Sequence, residues 1–420
     1  MRRVGVPSRL GDRDTRSQFC SFRSGLHAGL TLVSVAGIRL KVQELLSPQL
    51  NVSYVEAGER PPVGLVLKHY LASAVVYGGL LGFLWVNPWF KGLLSISVEG
   101  FSAMQLYCRL YLIYLVVALP IYLWLRPRSL WNSKNLLVLG CLGRAGQTAW
   151  RRLRGVPGPA WEVSYREKHA LVFLLIKLFY GPLMLNSAMV EIIACLKVSQ
   201  AFHGPLLLGK LSFGYLMFVH LVFLVDSSLF FVGYHTEAAI LRNEIRYVET
   251  NLWHILVCIV CYAPFNQVTI NLLGLSFEDP YILVLGDFRS VWTWGLRGAA
   301  VVFLCLLTAS SLSLFTRASN LTNRGIVTWG PYRWVRHPGY LGKNMFWLMT
   351  LIPSLIPSPG SVYFSWPQYL LHSGCTLCGF AAWGAIYFLR AVTEERFLSR
   401  DPEYVAYCQR VRWRFIPGVY

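Results

Sequence analysis

The chain has 420 residues, of which 55% are hydrophobic and only 14% charged, and its net charge is +19. A soluble domain carries about 25% charged residues, so the composition excludes an ordinary soluble protein and points to an integral membrane protein. Against this apolar background the basic excess reads as cytoplasmic loops facing anionic lipid, not as a nucleic-acid surface, for which no motif is present.

In chain order, residues 1–68 form a basic cytoplasmic amino-terminal region. Its apolar patch from Leu26 to Ile38 is short for a span and reads as an interfacial segment. Residues 69–315 read as a membrane bundle of about six spans, and residues 316–420 as a loop, a two-helix membrane hairpin and a cytoplasmic tail. The expected spans cover 69–86, 106–125, 171–190, 211–232, 252–273, 294–315, 341–356 and 369–389. The fold class is therefore all-α, a polytopic integral membrane protein with about eight transmembrane helices. Pro120 is a candidate kink. Residues 126–168 read as a long basic loop whose Leu136–Leu142 run is too short to cross. Lys177, inside the third span, reads as a side chain that snorkels.

With the amino terminus inside and eight alternating spans, the inside segments are 1–68, 126–168, 233–250, 316–340 and 390–420. They hold about 31 of the 39 Lys and Arg, as the positive-inside rule requires. The same count puts residues 330–340 and 390–420 on one face.

Two stretches carry chemistry. Gly330-Pro331-Tyr332-Arg333-Trp334-Val335-Arg336-His337-Pro338-Gly339-Tyr340-Leu341-Gly342 crowds charged, aromatic and turn residues between two apolar runs. Gly330-Pro331 signals a turn. His337 precedes a proline and is biased to extended backbone, and Pro338 suits the first position of a helix. A helix start offers free N–H groups to a carboxylate or phosphate. About fifty residues later, Arg390-Ala-Val-Thr-Glu394-Glu395-Arg396 supplies negative charge. A ligand with a carboxylate and cationic groups suits the pair, and S-adenosylmethionine is such a ligand.

Asp226, a carboxylate inside a span, is expensive there and faces a cavity or a partner. It is a candidate for an acceptor pocket with His220, His235 or Glu237, or for a structural hydrogen bond. The CxxC pairs Cys258/Cys261 and Cys375/Cys378 lie in apolar runs and read as small apolar residues on membrane helices. Neither a metal site nor a disulfide framework is expected.

The run GPYRWVRHPGYLG, an apolar hairpin, RAVTEERFL, PEYVAYCQRV and IPG together resemble the isoprenylcysteine carboxyl methyltransferases and the wider integral membrane phospholipid methyltransferases. The resemblance covers about residues 321–420. It implies S-adenosylmethionine at the membrane face, contacted by Arg336, His337, Tyr340 and Gly342. Glu394 and Glu395 would hold its ammonium or ribose hydroxyls, with Tyr404 and Tyr407 covering it. The implied acceptor is lipidic or prenylated. Carboxyl O-methylation is favoured, because a carboxylate acceptor needs no general base and the sequence offers none. A bacterial inner membrane is the expected location, with the endoplasmic reticulum the alternative. Two rival readings stand beside this one: a sterol-type double-bond reductase using NADPH, whose carboxyl end has a similar stretch, and a non-catalytic membrane protein.

Overall fold

The computed structural model describes residues 60–201, 207–238, 241–275, 291–355 and 365–419, all within one contact-dense unit, Ala57–Tyr420. The interfacial segment expected at 26–38 lies outside the described residues.

Helix α1 (Val63–Val86) begins after the Pro61-Pro62 pair. The short α2 (Pro88–Leu93) is capped by Asn87, whose Oδ1 accepts from the Trp89 and Phe90 amides. Glu99 and Gly100, both at positive φ, turn β1 (Ser97–Val98) back onto β2 (Phe101–Ser102), as a two-residue hairpin needs. Helix α3 (Ala103–Leu125) starts on a capping box between Ser102 and Gln105.

The expected basic loop contains a 20-residue helix, α4 (Lys134–Leu153). Its run 136–142 is too short to cross a bilayer but long enough to dock along other helices. Val138 packs with Val76 and Ala170, while Trp150 and Leu153 remain exposed beside Arg151 and Arg152.

Helix α5 (Tyr165–Ala201) has 37 residues. At 1.5 Å per residue it is about 55 Å long, well beyond a hydrocarbon core of about 30 Å, so the expected span at 171–190 is only its middle. Pro182 divides it. Its first half carries α1, α3 and α4, and Lys177 is buried there instead of snorkelling. The Lys177 ammonium donates to the Tyr77 hydroxyl at 3.2 Å and sits over the Phe173 and Tyr77 rings. From Gly181, which lies beside His235, α5 packs against α6 (Leu207–His235), with Glu191 paired to His220 at 2.8 Å. Gly233 of α6 lies so close to the Ala318 carbonyl that a Cβ would sit 1.9 Å from its oxygen.

Strand β3 (Tyr247–Val248) precedes α7 (Leu252–Ile259) and α8 (Phe265–Leu272). Then come α9 (Val291–Leu314), β4 (Thr322–Asn323), α10 (Pro338–Leu351), α11 (Trp366–Leu398) and α12 (Pro402–Arg410). Strands β3 and β4 pair antiparallel and join the segments that follow α6 and α9.

The protein is mostly helical, and six of its described helical stretches are long and apolar enough to cross a membrane: Val63–Val86, Ala103–Leu125, Tyr165–Gln200, Ser212–His235, Trp294–Arg317 and Trp366–Leu398. The two others of the eight expected are not single long helices. The fifth breaks into α7 and α8 around Pro264. The seventh is the 14 residues of α10 plus a 3-10 turn, Ile352–Leu355. Four of the segments expected on one side do meet in space. Lys134 pairs with Glu237, Asn243 donates to the Thr316 carbonyl at 3.2 Å, and Arg246 pairs with Asp401 at 2.8 Å.

Candidate functional site

The two chemistry-bearing stretches come together. The loop 330–337 passes from a 3-10 turn (Gly330–Arg333) into α10. Gly330 holds φ at +62°, and a Cβ there would lie 2.2 Å from Ser313 Oγ on α9, so the turn needs glycine twice over. The loop is stitched to the tail by two backbone bonds of 2.9 Å, from Arg336 N to Trp413 O and from His337 N to Arg414 O.

Glu394 and Glu395 are consecutive on α11 and so point about 100° apart. This separates their roles. Glu395 turns toward the tail. Its oxygens accept from Arg414 Nε and Nη2 at 2.9 and 2.7 Å, Arg336 Nη1 at 2.9 Å and His337 Nε2 at 3.0 Å. Three basic side chains thus saturate one buried carboxylate, and Glu395 is absent from the lining of the adjacent cavity. Its expected part in holding a cofactor gives way to clamping loop, helix and tail. Glu394 instead faces that cavity, and the Tyr340 hydroxyl donates to it at 2.5 Å. His337 stacks on Tyr340 at 5.2 Å and lies between both glutamates, with Nδ1 3.8 Å from Glu394.

The cavity has a void of about 1160 Å³ including its mouth. Of the expected site residues it is lined by Asp226, Arg336, His337, Tyr340, Glu394, Tyr404 and Tyr407. Gly342 is not among them. A Cβ there would meet the α9 backbone, 2.8 Å from Phe303 O and 2.9 Å from Leu307 N, so this glycine lets two helices touch. Arg336 reaches the lining but also donates to the Arg412 carbonyl at 2.7 Å. Tyr404 and Tyr407 are buried on α12, and Tyr407 donates to the Tyr332 carbonyl at 2.7 Å. Burial pushes the phenols of Tyr332, Tyr404 and Tyr407 up, so none serves as a base near neutral pH.

Asp226 accepts from Ser311 at 2.5 Å and faces the cavity without its suggested companions. His220 pairs with Glu191 at 2.8 Å, His235 bonds Tyr107 at 3.2 Å, and Glu237 is bound to Lys134. None of the three lines the cavity.

Two arginines have roles that the sequence did not reveal. Arg390 lies one turn before Glu394, buried among the Tyr340, Tyr262 and Tyr387 rings, and donates to Tyr262 Oη at 3.0 Å and Asn320 Oδ1 at 2.7 Å. Arg324 is 3% exposed; it donates to Ser319 Oγ and to the Thr236 and Asn243 carbonyls, leaving Nη2 without a partner. Burial lowers it to about 10, so it stays charged at neutral pH. Among the described residues no carboxylate is within ion-pair distance of either. The spacing of Arg390 from Glu394, one helical turn, was a legible signal. Arg324 had none, since its partners are carbonyls from distant loops. In all, five Arg and Lys (Arg317, Arg324, Arg336, Lys343 and Arg390) face two carboxylates (Asp226 and Glu394) around the cavity. Such a lining can hold an anionic group at one end and a cationic group at Glu394.

No family model matches this chain, and no curated protein or solved structure does either.

Proposed function

We propose that the chain is an integral membrane methyltransferase that uses S-adenosylmethionine to methylate a lipidic or prenylated acceptor. One observation carries the reading. Tyr340 and Glu394, 54 positions apart in sequence, bond across a cavity that both motif halves line. An acidic pole at Glu394 suits the donor's ammonium, and the arginines suit its carboxylate. Methyl transfer is a one-step in-line displacement, so the protein's work is to position donor and acceptor and exclude water.

The proposal includes eight passes. The broken pair α7–α8 runs antiparallel to α11, with Tyr262 beside Arg390 and Leu273 against Gly379, eleven positions on in each chain direction. Residues 252–275 would cover at most about 36 Å at 1.5 Å per residue, and so reach across a hydrocarbon core of about 30 Å despite the break. Helix α10 with its 3-10 extension supplies the other pass. The site then lies on the cytoplasmic face, where the donor is soluble.

The excess of cations favours a second reading, a reductase that binds the phosphates of NADPH. Binding of both ligands to the detergent-purified protein decides between them. S-adenosylmethionine is expected to bind wild type and to bind Glu394→Gln at least tenfold more weakly. Tight NADPH binding without donor binding overturns the reading.

A further inference from the structure

A second, smaller cavity of about 400 Å³ shares Asn320, Tyr340, Arg390 and Glu394 with the first. On its far side lies a pair that the motifs do not include, Glu249 and His254. Glu249 is fully buried. Its Oε1 accepts from the Thr250 and Asn251 amides at 2.8 and 2.9 Å, and its Oε2 meets His254 Nδ1 at 2.6 Å. A carboxylate held by two amides in this way fixes the imidazole tautomer. Nδ1 carries the proton donated to Glu249, and Nε2 keeps its lone pair. Among the described residues Nε2 makes no hydrogen bond. This is the arrangement of an oriented base, with Glu249 also placed to stabilise the imidazolium once it forms.

The setting matches a membrane-borne acceptor. Helix α7 turns His254 and Cys258, four residues apart, toward the cavity, while Leu252, Trp253 and Leu256 on its other faces are exposed. The imidazole is thus one helix away from the apolar exterior.

We infer that His254, oriented by Glu249, is the general base for a protic acceptor, an N–H or O–H group on a lipid. The inference rests on the methyl-transfer reading above. It replaces the carboxylate expectation, which stood on the lack of a base. The acceptor's N or O lone pair attacks the methyl carbon, and the C–S bond breaks with its electrons staying on sulfur, which becomes a neutral thioether. The acceptor proton passes to His254 Nε2 and then to water. A carboxylate acceptor has no proton to give and no use for the dyad.

The test uses the full chain in detergent, donor labelled with tritium in the methyl group, and the total lipid extract of the membranes from which the protein is purified. His254→Gln and Glu249→Gln are compared with wild type, and His254→Ala serves if the glutamine misfolds by size exclusion. Donor affinity by calorimetry is expected to stay within about twofold. Transfer to lipid is expected to fall about 100-fold or more in His254→Gln, the usual scale for a lost base. The label should resist mild alkali. Wild-type transfer by His254→Gln, or release of the label as methanol in mild alkali as from a methyl ester, overturns the inference. Failure of wild type to bind the donor overturns the methyl-transfer reading itself, and the inference with it.

Discussion

Arg414 meets Glu395 edge-on, its Nε and Nη2 donating to the two carboxylate oxygens at 2.9 and 2.7 Å. With Arg336 and His337 on the same oxygens, one carboxylate ties together the junction of loop, α11 and tail. Removing it takes away the carboxylate that two buried guanidinium groups share, and breaking a buried pair costs about 3–5 kcal/mol. Glu395→Ala is therefore expected to lower the unfolding temperature sharply in detergent. Glu394→Gln should leave it nearly unchanged while weakening ligand binding. Thermal unfolding and calorimetry on both variants check this, and equal melting of the two would refute the division of roles.

Gly342 and Gly339 offer a second contrast within one helix. A Cβ at 342 would press on the α9 backbone, which cannot swing away, whereas at 339 it would lie 3.6 Å from Ser310 Cβ in ordinary contact. Gly342→Ala is expected to destabilise by about 1–3 kcal/mol through overpacking, and Gly339→Ala by less than 1. Denaturation of each variant in detergent measures this.

Arg324 tests the anionic end of the cavity. A hydrogen bond to a charged group is worth about 1.5–3 kcal/mol. Arg324→Gln should thus raise the dissociation constant of the donor by about ten- to a hundredfold, measured by calorimetry. An unchanged constant would leave its buried Nη2 without a function.

The Lys134–Glu237 pair, partly exposed on both sides, predicts a pH effect on the docking of α4. Burial pushes the Glu237 carboxyl up, but the Lys134 ammonium and the Ile245 amide outweigh it and hold it below its ordinary value. A carboxyl depressed on folding adds stability above its unfolded value of about 4.3, and that part is lost as pH falls through the folded value. Glu237→Gln should flatten the acid limb of stability below about pH 4.3, read as unfolding temperature against pH.

Hydropathy and turn chemistry were enough to place most helices. The six long ones follow directly from runs too apolar to sit in water, and the loop-to-helix start at Pro338 was legible from His337-Pro338 alone. The break at Pro264 and the shortness of α10 were less visible, because composition counts apolar residues without saying where backbone bonds stop. Helix α4 was missed because a run too short to cross can still dock on neighbours.

For the site, sequence by itself determined which residue types meet: a loop rich in Arg and His before one helix and a glutamate pair at the end of another. Only the tertiary structure decided their division of labour. The 100° step between Glu394 and Glu395 sends one to the cavity and one to the clamp, and the direction that matters depends on what packs against each face. The burial of Arg324 and the packing role of Gly342 were equally out of reach. Each depends on contacts across folded elements, and pairing across distance leaves no local pattern in the chain. Glu249 and His254 are only five residues apart, and what the sequence did not show was that this local pair opens on a cavity.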